Sequence, residues 1–214
     1  MSSIKKFFYP LAMATLIVFF AILITFPSVQ FRQIDIAAFE LLGGNAFVDS
    51  LSLLGDQWVI MTISIALILY LWIHRKNYRG MLFVFFTAGV GNVLNQLLKR
   101  IFDRERPDFP HGLESFSFPS GHAMVGLLYL FTIAYFITEH LNSKLIKRLV
   151  WLGAAILAIG IGLSRVAGGE HYFSDVLAGW CAGYSWFVAV AIWYEMRERL
   201  FKEYLQKRTT RTVR

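Results

Sequence analysis

The chain has 214 residues, 57% hydrophobic and only 16% charged, with a mean hydropathy of +0.54 and a formal net charge of +7. Soluble domains average about 45–50% apolar and about 25% charged. The composition therefore argues against an ordinary soluble domain and for a membrane protein, at a length suited to one membrane-embedded domain over residues 1–214. The single Cys181 rules out an internal disulfide.

In chain order, the first apolar stretch is 8–26. It matches the roughly 20 residues a helix needs to cross the hydrocarbon core. No small-x-small site marks it as a cleavable signal. Residues 27–56 follow, and within them Ile34, Ile36, Ala37, Ala38, Leu41 and Leu42 give 33–44 the apolar side of an interfacial helix. Further spans are expected at 57–73, 80–98, 121–138, 149–163 and 175–194. The fifth is short and extends toward Lys147 or Arg165. The expected fold is all-α, a polytopic membrane protein with six transmembrane helices.

Six spans put both termini on one side, together with 15 of the 21 basic residues, among them Lys5, Lys6, Arg75, Lys144 and the tail from Arg197 to Arg214. Cytoplasmic loops are rich in Lys and Arg, so both termini are expected in the cytoplasm. The net charge then reads as a topology signal and not as a nucleic-acid surface. The compact, strongly positive-inside chain points to a bacterial plasma membrane. Trp58, Trp72 and Trp193 read as interface belts, Asn92, Asn95 and Gln96 as helix–helix hydrogen bonds, and Gly89 and Gly91 as close packing.

Three outer clusters carry chemistry. Lys99 and Arg106-Pro107 close the third span; alone they read as cations snorkelling to headgroups. Pro119-Ser120-Gly121-His122 opens the fourth span, where Ser120 is a good N-cap and the free N–H groups of the first turn suit a phosphate. The plain alternative is a capped helix with an interfacial histidine. Ser164-Arg165, His171 and Asp175 lie around the start of the sixth span. His171 and Asp175 are four residues apart, so on a helix the carboxylate reaches the ring. There it fixes the tautomer and frees the other nitrogen to attack. The alternative is an Asp that merely suits the helix dipole. Together the clusters bring two histidines, one carboxylate and three cations to one side of the membrane. Lys99, Arg106 and Arg165 match a phosphate dianion, and no dense metal-ligand pattern accompanies them. His111 is a further outer histidine, and Arg104, Glu105, Asp108 and Glu114 are given no role beyond the rim of an entrance.

These clusters read K-x6-RP, PSGH and SR-x5-H-x3-D over residues 99–175. In them, and in the six-helix layout, the chain resembles the type 2 phosphatidic acid phosphatase (PAP2) superfamily. The resemblance implies a lipid phosphatase using no metal or other cofactor. By it, His171 is the nucleophile, Asp175 its orienter and His122 the general acid, while Lys99, Arg106, Ser120, Gly121 and Arg165 cradle the phosphate. The partners it implies are a lipid phosphate and the bilayer, with undecaprenyl pyrophosphate and phosphatidylglycerol phosphate ranked above phosphatidic acid. The chain departs from many members at Ala167, Gly168 and Glu170, which weakens the transfer of substrate preference. Two other classes stand beside this reading. One is a phosphotransferase or haloperoxidase-like variant of the same pocket. The other is a lipid-binding or transport protein, which has no need of a His171–Asp175 pair beside His122.

Overall fold

The computed structural model describes residues 3–108 and 115–212, with side chains placed for 8–108 and 115–197. His111 and Glu114 lie outside the described residues. Every regular element described is helical. The order is α1 (Ser3–Thr25), α2 (Val29–Leu42), α3 (Ala46–Ser50) with a 3-10 turn over Leu51–Gly55, α4 (Gln57–Ile73), α5 (Tyr78–Val84), α6 (Gly91–Phe102), α7 (Gly121–Glu139), α8 (Lys144–Ala167) and α9 (Phe173–Thr212). A π turn over Phe85–Val90 joins α5 to α6, so the two run as one 25-residue apolar helix, Tyr78–Phe102.

Among the described residues, five helices are long and apolar enough to cross a bilayer: Phe8–Thr25, Tyr78–Phe102, Gly121–Glu139, Lys144–Ala167 and Phe173–Arg197. Val29–Leu42 and Ala46–Gly55 form a pair bent by 98°, which would count as a sixth span if taken as one. The packing favours α4 for that place. Its first turn adjoins Gly55, which lies against His122 at the start of α7, and just past its end Arg75 meets His140 at the end of α7. It therefore runs the length of α7. Its 17 residues cover about 25 Å at 1.5 Å per residue, near the lower limit for a span. The bent pair instead packs α2 on α8 and α9, and α3 on α8.

The boundaries differ from the hydropathy reading where charge lies on a helix. The fifth span is α8, which runs from Lys144 to Ala167 and takes in the cations at both its ends. The interfacial helix starts earlier than expected, at Val29, because Ser28 caps it by accepting from the Phe31 N–H at 3.4 Å. Its inward stripe is Phe31, Asp35, Ala38, Phe39 and Leu42, whereas Ile34, Ile36 and Leu41 are exposed. Trp58 and Trp72 are exposed as belt residues would be, while Trp193 packs edge-on against Phe86 at 5.1 Å.

The core is aromatic. Phe83 is fully buried among Tyr135, Phe136, Phe187 and Tyr194, with ring centroids 4.9–6.0 Å apart. At the other end Phe118 is buried among Phe19, Phe26 and Phe102, which pins the segment leading into α7. Two glycines set how closely α9 approaches α7. A Cβ on Gly179 would lie 2.7 Å from the Ser120 carbonyl oxygen, and one on Gly183 would lie 2.9 Å from that of Met124. Small residues one turn apart let helix backbones meet in lipid. Here they bring the start of α9 against the start of α7, where the Ser120 N–H donates to the Asp175 carbonyl at 3.0 Å.

Candidate active site

Four helix ends converge at this point. α6 delivers Lys99 in its last turn, α7 opens with Gly121 and His122, α8 ends on Arg165, and α9 opens with Asp175. Lys99, Arg106, Gly121, His122, Arg165 and His171 line one cavity of about 470 Å³. Ser120 and Asp175 stand behind that surface, both fully buried. Ser120 acts through its N-cap, its Oγ accepting from the Ala123 N–H at 3.5 Å.

His171 sits on the short turn between α8 and α9, closed by its N–H donating to the Arg165 carbonyl at 3.1 Å. Its Nε2 is 3.2 Å from Arg106 Nη1. A guanidinium can only donate, so Nε2 is the acceptor and the ring proton belongs on Nδ1. Nδ1 faces Asp175 Oδ2 at 3.5 Å, just beyond hydrogen-bond geometry. Catalytic hydrogen bonds commonly tighten only when substrate is bound. Burial pushes the His171 imidazole down to about 3, helped by the Lys99 and Arg106 cations and opposed by the nearby Asp175 carboxylate. The ring is therefore neutral at physiological pH.

Each cation is aimed by local bonds. Lys99 Nζ donates to the Phe116 carbonyl and, at 3.5 Å, to that of Ser117. Arg106 donates from Nε to the Ser115 carbonyl at 2.7 Å, from Nη2 to Ser115 Oγ at 2.9 Å and from Nη1 to the Glu170 carbonyl at 2.7 Å. Burial lowers the Arg106 pKa from its ordinary value, and Asp175 opposes the shift. Arg165 pairs through Nη2 with the Glu170 carboxylate, while its buried Nε has no protein partner, leaving a donor for a ligand oxygen. Among the described residues no three His, Cys, Asp or Glu side chains converge as a metal site.

Several participants escaped the sequence reading. Arg104 donates to Asp175 Oδ1 at 2.6 Å and to Asp35 Oδ2 at 3.2 Å. Ser117 Oγ donates to Asp175 Oδ2, which also accepts from the Tyr172 N–H at 3.0 Å. Gly55 makes room for the general-acid candidate, since a Cβ there would lie 2.7 Å from His122 Cδ2. Of the span-three amides, Asn95 donates to the Pro119 carbonyl at 3.2 Å, while Asn92 and Gln96 line the cavity.

Away from the cations the cavity turns apolar. It continues between Ile60, Met61, Ile65 and Ile68 of α4 and Val84, Phe85, Ala88 and Gly89 of the α5–α6 helix. The arrangement provides a cationic cup for a tetrahedral anion, a neutral imidazole facing it, a second imidazole at a helix N-terminus, and an apolar trough leading away.

The sequence profile of the PAP2 superfamily matches residues 79–199. Phosphatidylglycerophosphatase B of Bacillus subtilis strain 168 is 34% identical over 143 residues, covering 65% of this chain and 70% of that protein. A lipid A 1-phosphatase of Rhizobium johnstonii is 34% identical over 133 residues, covering 56% of this chain, which spans about half (50%) of that enzyme's length. Among solved structures, a transmembrane PAP2-type phosphatidylglycerolphosphate phosphatase from Bacillus subtilis superposes with a TM-score of 0.78. That match has 27% identity and covers 86% of this chain and 96% of the other. Aquifex aeolicus LpxE superposes with a TM-score of 0.54 at 24% identity, a likeness of fold, over 73% of this chain and 93% of that one.

Proposed function

The chain belongs to the PAP2 superfamily and is a membrane lipid phosphatase, and from that premise we propose that it hydrolyses a lipid phosphomonoester or pyrophosphate through a phosphohistidine on His171. The observation that carries this reading is the one cavity lined by Lys99, Arg106, Arg165 and His171, in which the acceptor nitrogen of His171 lies 3.2 Å from Arg106 Nη1.

The lone pair of His171 Nε2 forms the P–N bond as the bond from phosphorus to the leaving oxygen breaks. Protonated His122 gives its proton to that oxygen. The second step reverses the roles. Neutral His122 takes a proton from water, the hydroxyl oxygen bonds to phosphorus, and the P–N electrons return to His171. Inorganic phosphate leaves. Asp175 balances the charge that His171 carries while phosphorylated. The three cations and the N–H groups at the start of α7 hold the equatorial oxygens, so the protein itself supplies the electrostatic stabilisation that metal ions supply in other phosphoryl-transfer sites.

The trough between α4 and α5–α6 favours an amphipathic substrate that enters sideways with its tail in the bilayer. Phosphatidylglycerol phosphate and undecaprenyl pyrophosphate are the favoured candidates, and similarity to the Bacillus subtilis phosphatidylglycerophosphatase supports the first. We place the site on the extracytoplasmic face, with both termini in the cytoplasm.

The test is phosphate release by purified protein from a panel of these lipids in detergent micelles, with acid-labile phosphate trapped on histidine during turnover. Trapping that is absent in His171→Ala supports the scheme. Phosphate trapped on the His171→Ala protein, or transferred to a lipid hydroxyl in place of water, overturns it.

A further inference from the structure

Asp175 is the most deeply placed ionisable group of the site, and His171 is only one of its neighbours. On the face away from the cavity Arg104 reaches its Oδ1 at 2.6 Å, and the same Nη1 also donates to Ser174 Oγ at 2.8 Å. The guanidinium is itself fixed from both sides. Its planes pack on the rings of Phe26 and Tyr172, at 4.6 Å and 4.1 Å from their centroids. Its Nη2 donates to Asp35 Oδ2 at 3.2 Å.

Asp35 belongs to α2, where it is the one buried residue of the helix. Its carboxylate also caps α9 from outside that helix, Oδ1 accepting from the Ser174 N–H at 2.7 Å and Oδ2 from Ser174 Oγ at 2.8 Å. A buried carboxylate pair bridged by one arginine fork is fully hydrogen-bonded, and its members fix one another's geometry. A helix that by amphipathicity alone would only lie on a membrane surface is thus tied to the orienting group of the nucleophile.

We propose that Arg104, held by Asp35 of α2, is a positioning residue that sets the orientation and charge of Asp175 toward His171. The inference rests on the phosphohistidine reading. The groups facing His171 are Asp175 of α9, Lys99 of α6, Arg106 of the segment after α6, and His122 of α7. Arg104 acts through the first of these only. Without its cation, Asp175 confronts His171 with less of its charge balanced, so the protonated ring is favoured. Neutral nucleophile then forms at higher pH.

The experiment compares wild type with Arg104→Gln, Arg104→Lys, Asp35→Asn and the Arg104→Gln/Asp35→Asn double variant. The substrate is a short-chain phosphatidylglycerol phosphate in detergent micelles. Arg104→Gln is expected to lower kcat about 10–100-fold, the scale seen when a partner orienting a functional group from behind is lost. KM should change little, and the acid limb of kcat/KM should move to higher pH. Arg104→Lys should not restore kcat, because a point charge cannot bridge two carboxylates as a fork does. The double variant should be no worse than Arg104→Gln, as expected of coupled residues.

A wild-type kcat and acid limb in folded Arg104→Gln, a loss confined to KM, or additive losses in the double variant overturns the proposal. Should Arg104→Gln not be recovered folded, Asp35→Asn keeps the shape of the contact and probes the same link: wild-type kcat and acid limb there also overturn the proposal. A trapped phosphohistidine in His171→Ala would sink the underlying reading, whereas its loss in His171→Ala beside wild-type behaviour in Arg104→Gln would sink this inference alone.

Discussion

In the proposed mechanism the two histidines of the cavity have separable chemical duties, and substitution should separate them. His171→Ala removes the atom that bonds to phosphorus, so turnover and trapped phosphohistidine should both vanish. His122→Ala leaves that atom in place and removes the group proposed to protonate the leaving oxygen and then to deprotonate water. Losing a general acid costs about 10²–10⁴-fold, and the cost should be greatest for a lipid alkoxide and smaller for a leaving phosphate or nitrophenolate. Equal losses on all leaving groups would remove His122 from that role. The state of His171 makes a second prediction. Its pKa is depressed by burial to about 3, against an ordinary value near 6.5. In the folded protein the ring should therefore stay neutral as pH falls through 6.5. In the unfolded chain it protonates there, so this group makes acid pH destabilising. Nitrogen-15 chemical shifts of the His171 ring in labelled protein should show no titration between about pH 5 and 7. A midpoint within that window would contradict the buried, cation-flanked environment.

Helix-to-helix distance governs the site at the next scale. The approach of α9 to α7 rests on Gly179, where a Cβ would lie 2.7 Å from backbone oxygen and 2.9 Å from the Ala123 side chain. Gly179→Ala should destabilise the fold by about 1–3 kcal/mol, the usual cost of overpacking, and lower kcat by separating Asp175 from Ser120. Thermal unfolding in detergent with parallel kinetics checks this, and an unchanged melting temperature would show that the close approach is not needed. Helix existence was legible in the sequence because hydropathy alone decides it, and α4 matches the expected 57–73. The convergence of Lys99, Arg106, His122, Arg165, His171 and Asp175 was legible too, since they are polar residues at or near the ends of apolar runs. Arg104 and Asp35 were not. They are 69 residues apart on separate elements, and nothing local marks them as partners. Gly55 was missed for a related reason, because its importance is the space it leaves for His122. Glu170 was visible as a departure, but its pairing with Arg165 depends on the turn at Gly169, whose φ is +69°.

Considered whole, the molecule opens its cavity between α4 and the α5–α6 helix, and this opening should govern access for long tails. Gly89 lines the trough, and a Cβ there meets only ordinary contact, 3.4 Å from Phe85. Gly89→Leu should therefore fold, raise KM for a long-chain lipid phosphate and leave hydrolysis of p-nitrophenyl phosphate unaffected. Equal effects on both substrates would place the tail elsewhere. The packing of the cations also bears on how the chain is inserted during synthesis. Of the six basic residues that the proposed topology puts on the site's side of the membrane, Lys99, Arg104, Arg106 and Arg165 are engaged in or behind the site, and Arg32 and Arg100 are exposed. If Lys99, Arg106 and Arg165 bind phosphate and Arg104 holds Asp175, as proposed, none of the four is needed for orientation, and the charge bias available to the insertion machinery is steeper than the count of residues implies. Neutralising any of the four should abolish or impair hydrolysis without inverting the protein. On a Cys181→Ala background, Phe47→Cys should remain accessible to an impermeant thiol reagent in intact cells, and Lys144→Cys should remain shielded. If loss of a site cation reversed that pattern, that charge would be setting topology as well as serving the site.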